Sequence, residues 1–217
     1  MPLTRQRSRV DGHFWYRSIL ISSIVFIGLA LLLQFVGFVT PGWIVLSQPS
    51  GFTVSAGVWY IQVCNGSPQC RTASMTRVVN PFNVAGDNNV EFTNWTELQV
   101  EITLAFVSCI VSVLMTVNAF INMSQGPKSY LGWAVVAAVI SAALLMIPIG
   151  RLLDIIRQWD SYIVYSTPYS LVSSCLGCVC ALMSAVLNLC AMCMILYDRK
   201  MERSNSDERD DLTLNSA

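Results

Sequence analysis

Charged residues are scarce in this chain: Asp, Glu, Lys and Arg make up 12% of its 217 residues, against roughly 25% in an ordinary soluble domain. That scarcity excludes a solvated globular protein, and an apolar share of 54% points to a lipid-embedded one. The charges balance to a formal net of zero, so no overall field favours nucleic acid or an acidic substrate. Histidine is nearly missing. The single His13 lies in an Arg-rich stretch near the start, which leaves no Ser-His pair and no His-containing metal site to build elsewhere. No phosphate-cradling Gly-rich loop follows a strand-like run. No catalytic residue, metal or cofactor is therefore expected, and the chain reads as a non-enzyme.

What is present is a set of four runs without a single charge: Ser18 to Thr40, Ile102 to Gln125, Leu131 to Gly150 and Ser170 to Tyr197. A bilayer core of about 30 Å needs roughly 20 helical residues, so each run is long enough to span. Inside lipid every backbone amide must be paired within its own segment, which makes helix the expected form. The first run is longer than the 7 to 15 apolar residues of a signal peptide and reads as a retained span. The expected architecture is an all-α membrane protein, a left-handed bundle of four spans at 18–40, 102–121, 131–150 and 170–197.

The Lys and Arg residues of the flanks set the orientation. One side holds Arg5, Arg7, Arg9, Arg17, Lys128, Arg199, Lys200, Arg203 and Arg209, and the other only Arg71, Arg77, Arg151 and Arg157. Both termini are thus expected in the cytosol. Residues 1–17 form a basic arm, 41–101 a large first extracellular loop, 122–130 a cytosolic turn and 151–169 a short second extracellular loop. Residues 198–217, of mixed charge and without apolar period, are expected to be a disordered cytosolic tail.

Of the eight cysteines, only Cys64 and Cys70 fall in the first loop. In an oxidising exterior they are expected to form a disulfide, with Asn65-Gly66 turning the chain between two strands. A metal pair is the competing reading, and the lack of a nearby His weighs against it. Trp43 to Ser47, Phe52 to Val54 and Val58 to Cys64 are β-favouring runs separated by Gln48-Pro-Ser-Gly51, so a small antiparallel sheet is expected on the membrane. Asn80 to Asn89 reads as an irregular connection.

Trp43 beyond the first span, then Gly57-Val58-Trp59, Cys64 and Cys70, all in the first loop of a four-span chain, resemble the signature of the claudin superfamily. That group includes claudins, the peripheral myelin and epithelial membrane proteins, and calcium-channel γ subunits. Four residues separate Trp59 from Cys64 where claudins have two, and Val100 follows Leu98-Gln99 where an Arg is usual. The resemblance is to a divergent, claudin-like branch. It implies a contact-making membrane protein whose third helix runs on into the second loop.

Within the spans, small residues recur every fourth position: Ala134, Ala138 and Ala142 in the third, and Ser173, Gly177, Ala181 and Ala185 in the fourth. Such stripes let helix backbones approach and are the expected bundle seam. Pro148 is expected to bend the third helix, and beyond it Arg151, Asp154, Arg157 and Asp160 continue a helical pattern, with Asp154 and Arg157 placed to pair. Gln34, Asn118 and Asn188 are the conspicuous polar residues, and none is ionisable, which argues against transport through the bundle. Cys190 and Cys193, near the cytosolic boundary marked by Tyr197, are candidates for palmitoylation; Cys109, Cys175, Cys178 and Cys180 read as small apolar packing. Asn94-Trp-Thr96 is a candidate glycosylation acceptor. The sequon at Asn65 sits in the expected hairpin and that at Asn122 on the cytosolic side, so neither is expected to be modified. The ending Leu214-Asn-Ser-Ala217 argues against a PDZ scaffold.

Two functions follow as expectations. In one, the extracellular loops make cell-cell junction or adhesion contacts at the plasma membrane, with Phe52, Val54, Trp95, Ile163, Val164 and Tyr165 as contact points. In the other, the bundle is an auxiliary, γ-subunit-like partner that controls trafficking or gating of an ion channel or receptor. The expected partners are the lipid bilayer and other membrane proteins in cis or trans.

Overall fold

The computed structural model describes residues 3–47, 52–65, 70–74, 95–122, 128–159, 164–165 and 168–214. Among these residues four long helices form a bundle: α1 (Leu3–Val39), α2 (Trp95–Ile121), α3 (Lys128–Trp159) and α4 (Tyr169–Leu214). Each contains a segment long and apolar enough to cross a membrane, namely Trp15–Val39, Trp95–Ile121, Lys128–Asp154 and Tyr169–Tyr197. The protein is a multi-pass membrane protein. Its most extensive helix contacts are α1 with α4 and α2 with α3.

At one end sits a five-stranded antiparallel sheet of β1 (Ile44–Ser47), β2 (Phe52–Ala56), β3 (Tyr60–Asn65), β4 (Cys70–Ser74) and β5 (Val164–Tyr165), in the order β4-β3-β2-β1-β5. Side chains alternate between its two faces. Ile44 pairs with Ala56 and Ala56 with Ile61, and all three are buried against the bundle with Val54. Thr53, Ser55, Gln62, Cys64 and Thr72 fall on the opposite, polar face.

Three apolar clusters stack along the bundle. The one at the sheet end joins Trp43, Ile44, Val54, Val58 and Ile61 to Leu98, Ile102, Leu145, Ile149 and Leu171, so sheet and helices share one core. The middle cluster holds Ile27, Ala30, Cys109, Ala138, Ala181 and Ala185. Tyr16, Leu20, Ala119, Leu131 and Ala191 form the third, at the end where the termini lie.

Lipid offers no hydrophobic drive for helix association, so close packing and hydrogen bonds must supply it. Ala134, Ala138 and Ala142 of α3 are buried, as are Ser173, Gly177, Ala181 and Ala185 of α4. A methyl group on Gly177 would lie 3.1 Å from Gln34 Cγ and 3.3 Å from the Ala30 carbonyl oxygen, a measure of how closely α1 and α4 cross. Ser173 donates to the Leu33 carbonyl at 2.9 Å and Ser112 to the Ala134 carbonyl at 2.9 Å. Two polar layers tie three helices each. Gln34 Nε2 donates to Ser141, which donates to the Ala105 carbonyl. Ser23 donates to Asn188 Oδ1 at 2.8 Å, while Asn188 Nδ2 donates to Thr116 at 3.2 Å. Asn118 instead bonds within its own helix, donating to the Leu114 carbonyl.

The helices exceed the expected spans. α4 continues as helix to Leu214, where a disordered tail was expected from 198. Propagating a nucleated helix needs no apolar face, and Asp198 to Leu214 contains neither Pro nor Gly to stop it. In the same way α1 already begins at Leu3, within the basic arm. α2 starts at Trp95, so residues 95–101 are helix and not loop. α3 carries Pro148 inside it and extends to Trp159, into the expected second loop. That loop also contributes β5, which pairs with β1 through Leu46–Tyr165 and Ser47–Val164; two residues carry too little periodicity to announce a strand. The Asn80–Asn89 connection, Asn94 and the side chain of Arg157 lie outside the described residues.

Candidate functional site

The chain leaves α1 through Thr40-Pro41-Gly42-Trp43, and this corner fastens the sheet to the bundle. Pro41 cannot continue the α1 hydrogen-bond ladder. The Trp43 indole turns back under the sheet, fully buried, and its Nε1–H donates to the Gly37 carbonyl at 2.6 Å. A buried indole N–H without a partner would be costly, so this bond fixes the ring. The Trp43 backbone N–H donates to the Ala56 carbonyl at 3.1 Å, continuing the β1–β2 pairing. α4 closes the corner from the other side: Gly42 N–H donates to Ser170 Oγ at 2.9 Å, Ser170 N–H to the Gly42 carbonyl at 3.1 Å, and Thr40 and Ser170 hydroxyls lie 2.5 Å apart. Tyr169 packs its ring over Gly42 where any side chain would collide.

Gly57 sits directly against this corner. A methyl group there would lie 2.7 Å from Pro41 Cα and 2.9 Å from the Thr40 carbonyl oxygen, both backbone atoms. Only glycine permits so close an approach of two backbones. The next residue, Val58, is buried, and its carbonyl accepts from Trp95 Nε1 at 3.0 Å and Gln99 Nε2 at 2.9 Å. The β2–β3 turn is thereby bound to the first turns of α2. Tyr60 adds a bond from its hydroxyl to the Val39 carbonyl at 3.1 Å.

Trp59 points the other way, 39% exposed. Its ring meets Phe38 edge-on at 5.2 Å, and Phe38 stacks on Phe106 at 5.2 Å, with Phe35 6.2 Å from Phe106. This aromatic series runs between α1 and α2 from the sheet down along the membrane-spanning part.

Cys64 and Cys70 face each other across β3 and β4 and form a disulfide, with Cα atoms 4.3 Å apart. The staple holds the outermost strand of the sheet, all of whose residues are exposed. On the α2–α3 side, Arg151 reaches Glu97 and Glu101 at 3.3 Å each. Glu101 is the less exposed of the two, and among the described residues its Oε2 is buried without a hydrogen-bond partner.

Of the expected site residues, Trp43 and Gly57 meet at the corner, Trp59 stands at its rim, and the disulfide lies at the far end of β3. Val54 is buried under the sheet and Trp95 is half-buried with its indole bonded to Val58, so neither is the exposed contact point that their apolar character suggested: each faces inward because the sheet and α2 share a core. The side chains of Phe52, Ile163, Val164 and Tyr165 lie outside the described residues. Cys190 and Cys193 are exposed on α4. Among the described residues no group of three His, Cys, Asp or Glu side chains could hold a metal. The closure of Ser170 on Gly42, the bond from Gln99 to Val58 and the pairing of Arg151 with Glu97 and Glu101 were not read from the sequence. Pro41-Gly42 directly after an apolar run was the available signal for the corner; the partners on α2, α3 and α4 left none.

No protein-family model matches the chain, and no curated protein matches it.

Proposed function

We propose that the protein is a divergent, claudin-like member of its superfamily, presenting the sheet outside the cell to make junction or adhesion contacts, with both termini in the cytosol of the plasma-membrane-embedded chain. The observation that carries this reading is the sheet itself: stapled by Cys64–Cys70, sharing a core with the bundle, and turning an uncharged polar face of Thr53, Ser55, Gln62 and Thr72 away from it. A platform held so firmly on membrane helices suits binding at its surface, because little ordering entropy is lost on contact. The oxidised staple and the Lys and Arg bias support placing that end outside. Asn94, the candidate glycan site, then lies on the same side.

The test is imaging of the tagged chain in isolated cells and in contacting cells, including contacts between expressing and non-expressing cells. Enrichment at contacts is expected. Uniform surface distribution, with a channel or receptor co-purifying, would reverse the ordering in favour of an auxiliary subunit.

A further inference from the structure

Cysteine in a folded protein behaves as a small apolar residue and is usually buried. Four of the six free cysteines follow that rule: Cys109 and Cys178 are buried, and Cys175 and Cys180 are half-buried, packed against the sheet-end and middle clusters. Cys190 and Cys193 depart from it. Both are exposed, while Asn188 and Ala191 between and beside them are the residues α4 turns into the bundle. The two thiols therefore stand one helical turn apart on the lipid-facing side, a side otherwise occupied by Leu176, Val179, Leu182, Met183, Val186 and Leu189. Among the described residues neither belongs to the three buried clusters or to the side chains packed against them.

Their depth is equally particular. Trp15 on α1, Tyr130 and Trp133 on α3 and Tyr197 on α4 are all exposed at the terminal end of the bundle, an aromatic belt of the kind that marks the headgroup level. At 1.5 Å per residue, Cys193 lies about 6 Å and Cys190 about 10 Å inside Tyr197, on the bilayer side of that belt. Lys200, one turn beyond Tyr197, is exposed and suits the headgroup region.

We propose that Cys190 and Cys193 are S-acylation sites, modified by a membrane acyltransferase that draws on long-chain acyl-CoA. In the overall step the cysteine sulfur attacks the thioester carbonyl, a new S–C bond forms, the bond to the coenzyme A sulfur breaks, and the thiol proton leaves with the released coenzyme A. No oxidant is needed. The attached chains lie along the lipid face of α4 in the inner leaflet, filling the space that a short side chain leaves there. The proposal rests on the cytosolic placement of the termini, because acyl-CoA is available on that side alone.

The test is acyl exchange on the full-length chain expressed in cultured cells, with hydroxylamine cleaving thioesters and a mass tag replacing each acyl group. Epitope staining of both termini with and without permeabilisation is run in parallel. A hydroxylamine-dependent two-step shift is expected in the wild type, one step in C190A and in C193A, none in C190A/C193A, and two in C180A. Surface delivery of the double variant, which loses no buried contact, shows that it folds. With the termini cytosolic, absence of any hydroxylamine-dependent shift, or tags that survive in C190A/C193A, overturns the acylation sites alone. Termini accessible without permeabilisation overturn the orientation and the acylation sites together.

Discussion

Replacing Gly57 with Ala tests the corner most directly. The added methyl would meet Pro41 Cα at 2.7 Å and the Thr40 carbonyl oxygen at 2.9 Å, and neither backbone atom can swing aside as a side-chain end would. The β2–β3 turn must therefore lift from α1. That movement strains the Trp43 N–H to Ala56 bond and the Gly57 N–H to Tyr60 bond, now 3.1 and 2.9 Å, and loosens the Val58 carbonyl from Trp95 and Gln99. Overpacking of a tight site costs about 1 to 3 kcal/mol, and with the hydrogen bonds weakened the upper end of that range applies. By the size scaling of soluble domains this is a fall of roughly 6 to 12 °C in Tm. Gly132→Ala is the control, since nothing lies within 4 Å of its added methyl and Ala in a helix is favoured over Gly by up to about 1 kcal/mol. Thermal unfolding in detergent, followed by tryptophan fluorescence, reads both variants, because Trp43 is buried at the corner and Trp59 stands at its rim. If Gly57→Ala melts at the same temperature as Gly132→Ala, the close-approach reasoning is wrong.

Removing both disulfide cysteines as C64A/C70A should lower stability by roughly 2 kcal/mol through the freed short loop and make unfolding insensitive to reductant; a variant that still shifts with reductant would mean the staple lies elsewhere. Asn188→Val should lose about 1 kcal/mol, because it breaks the bonds to Ser23 and Thr116 at once, and Asn118→Val, whose amide bonds only its own helix, should lose less in the same denaturation series. Gly177→Ile should fail to hold α1 against α4 and reduce surface delivery, whereas Gly28→Ile, with nothing within 4 Å of its Cβ position, should be delivered normally; equal delivery of the two would contradict the tight crossing.

The four spans were legible in the sequence because lipid leaves the backbone one solution, and an uncharged run of sufficient length declares it locally. The disulfide was legible for a similar reason: two cysteines in one loop, with a turn between them, can meet without help from the rest of the chain. The small residues at 134, 138 and 142 and at 173, 177, 181 and 185 announced faces by their spacing, yet not which helix each face would meet. Helix ends were less visible, since α4 runs on past Tyr197 and α2 begins at Trp95, where composition changes but nothing breaks the ladder.

The corner depended on contacts that no local pattern carries. Gly57 must be glycine because Pro41 is beside it, Val58 presents its carbonyl because Trp95 and Gln99 arrive from α2, and Ser170 closes on Gly42 across a separation of 128 residues. Val54 reads as an exposed apolar residue in a loop and is instead buried, because the sheet folds down onto the helices. Segment identity is written in hydropathy and charge along the chain; which backbone touches which is settled only when helices and strands compete for the same buried volume, where most buried polar groups find a partner.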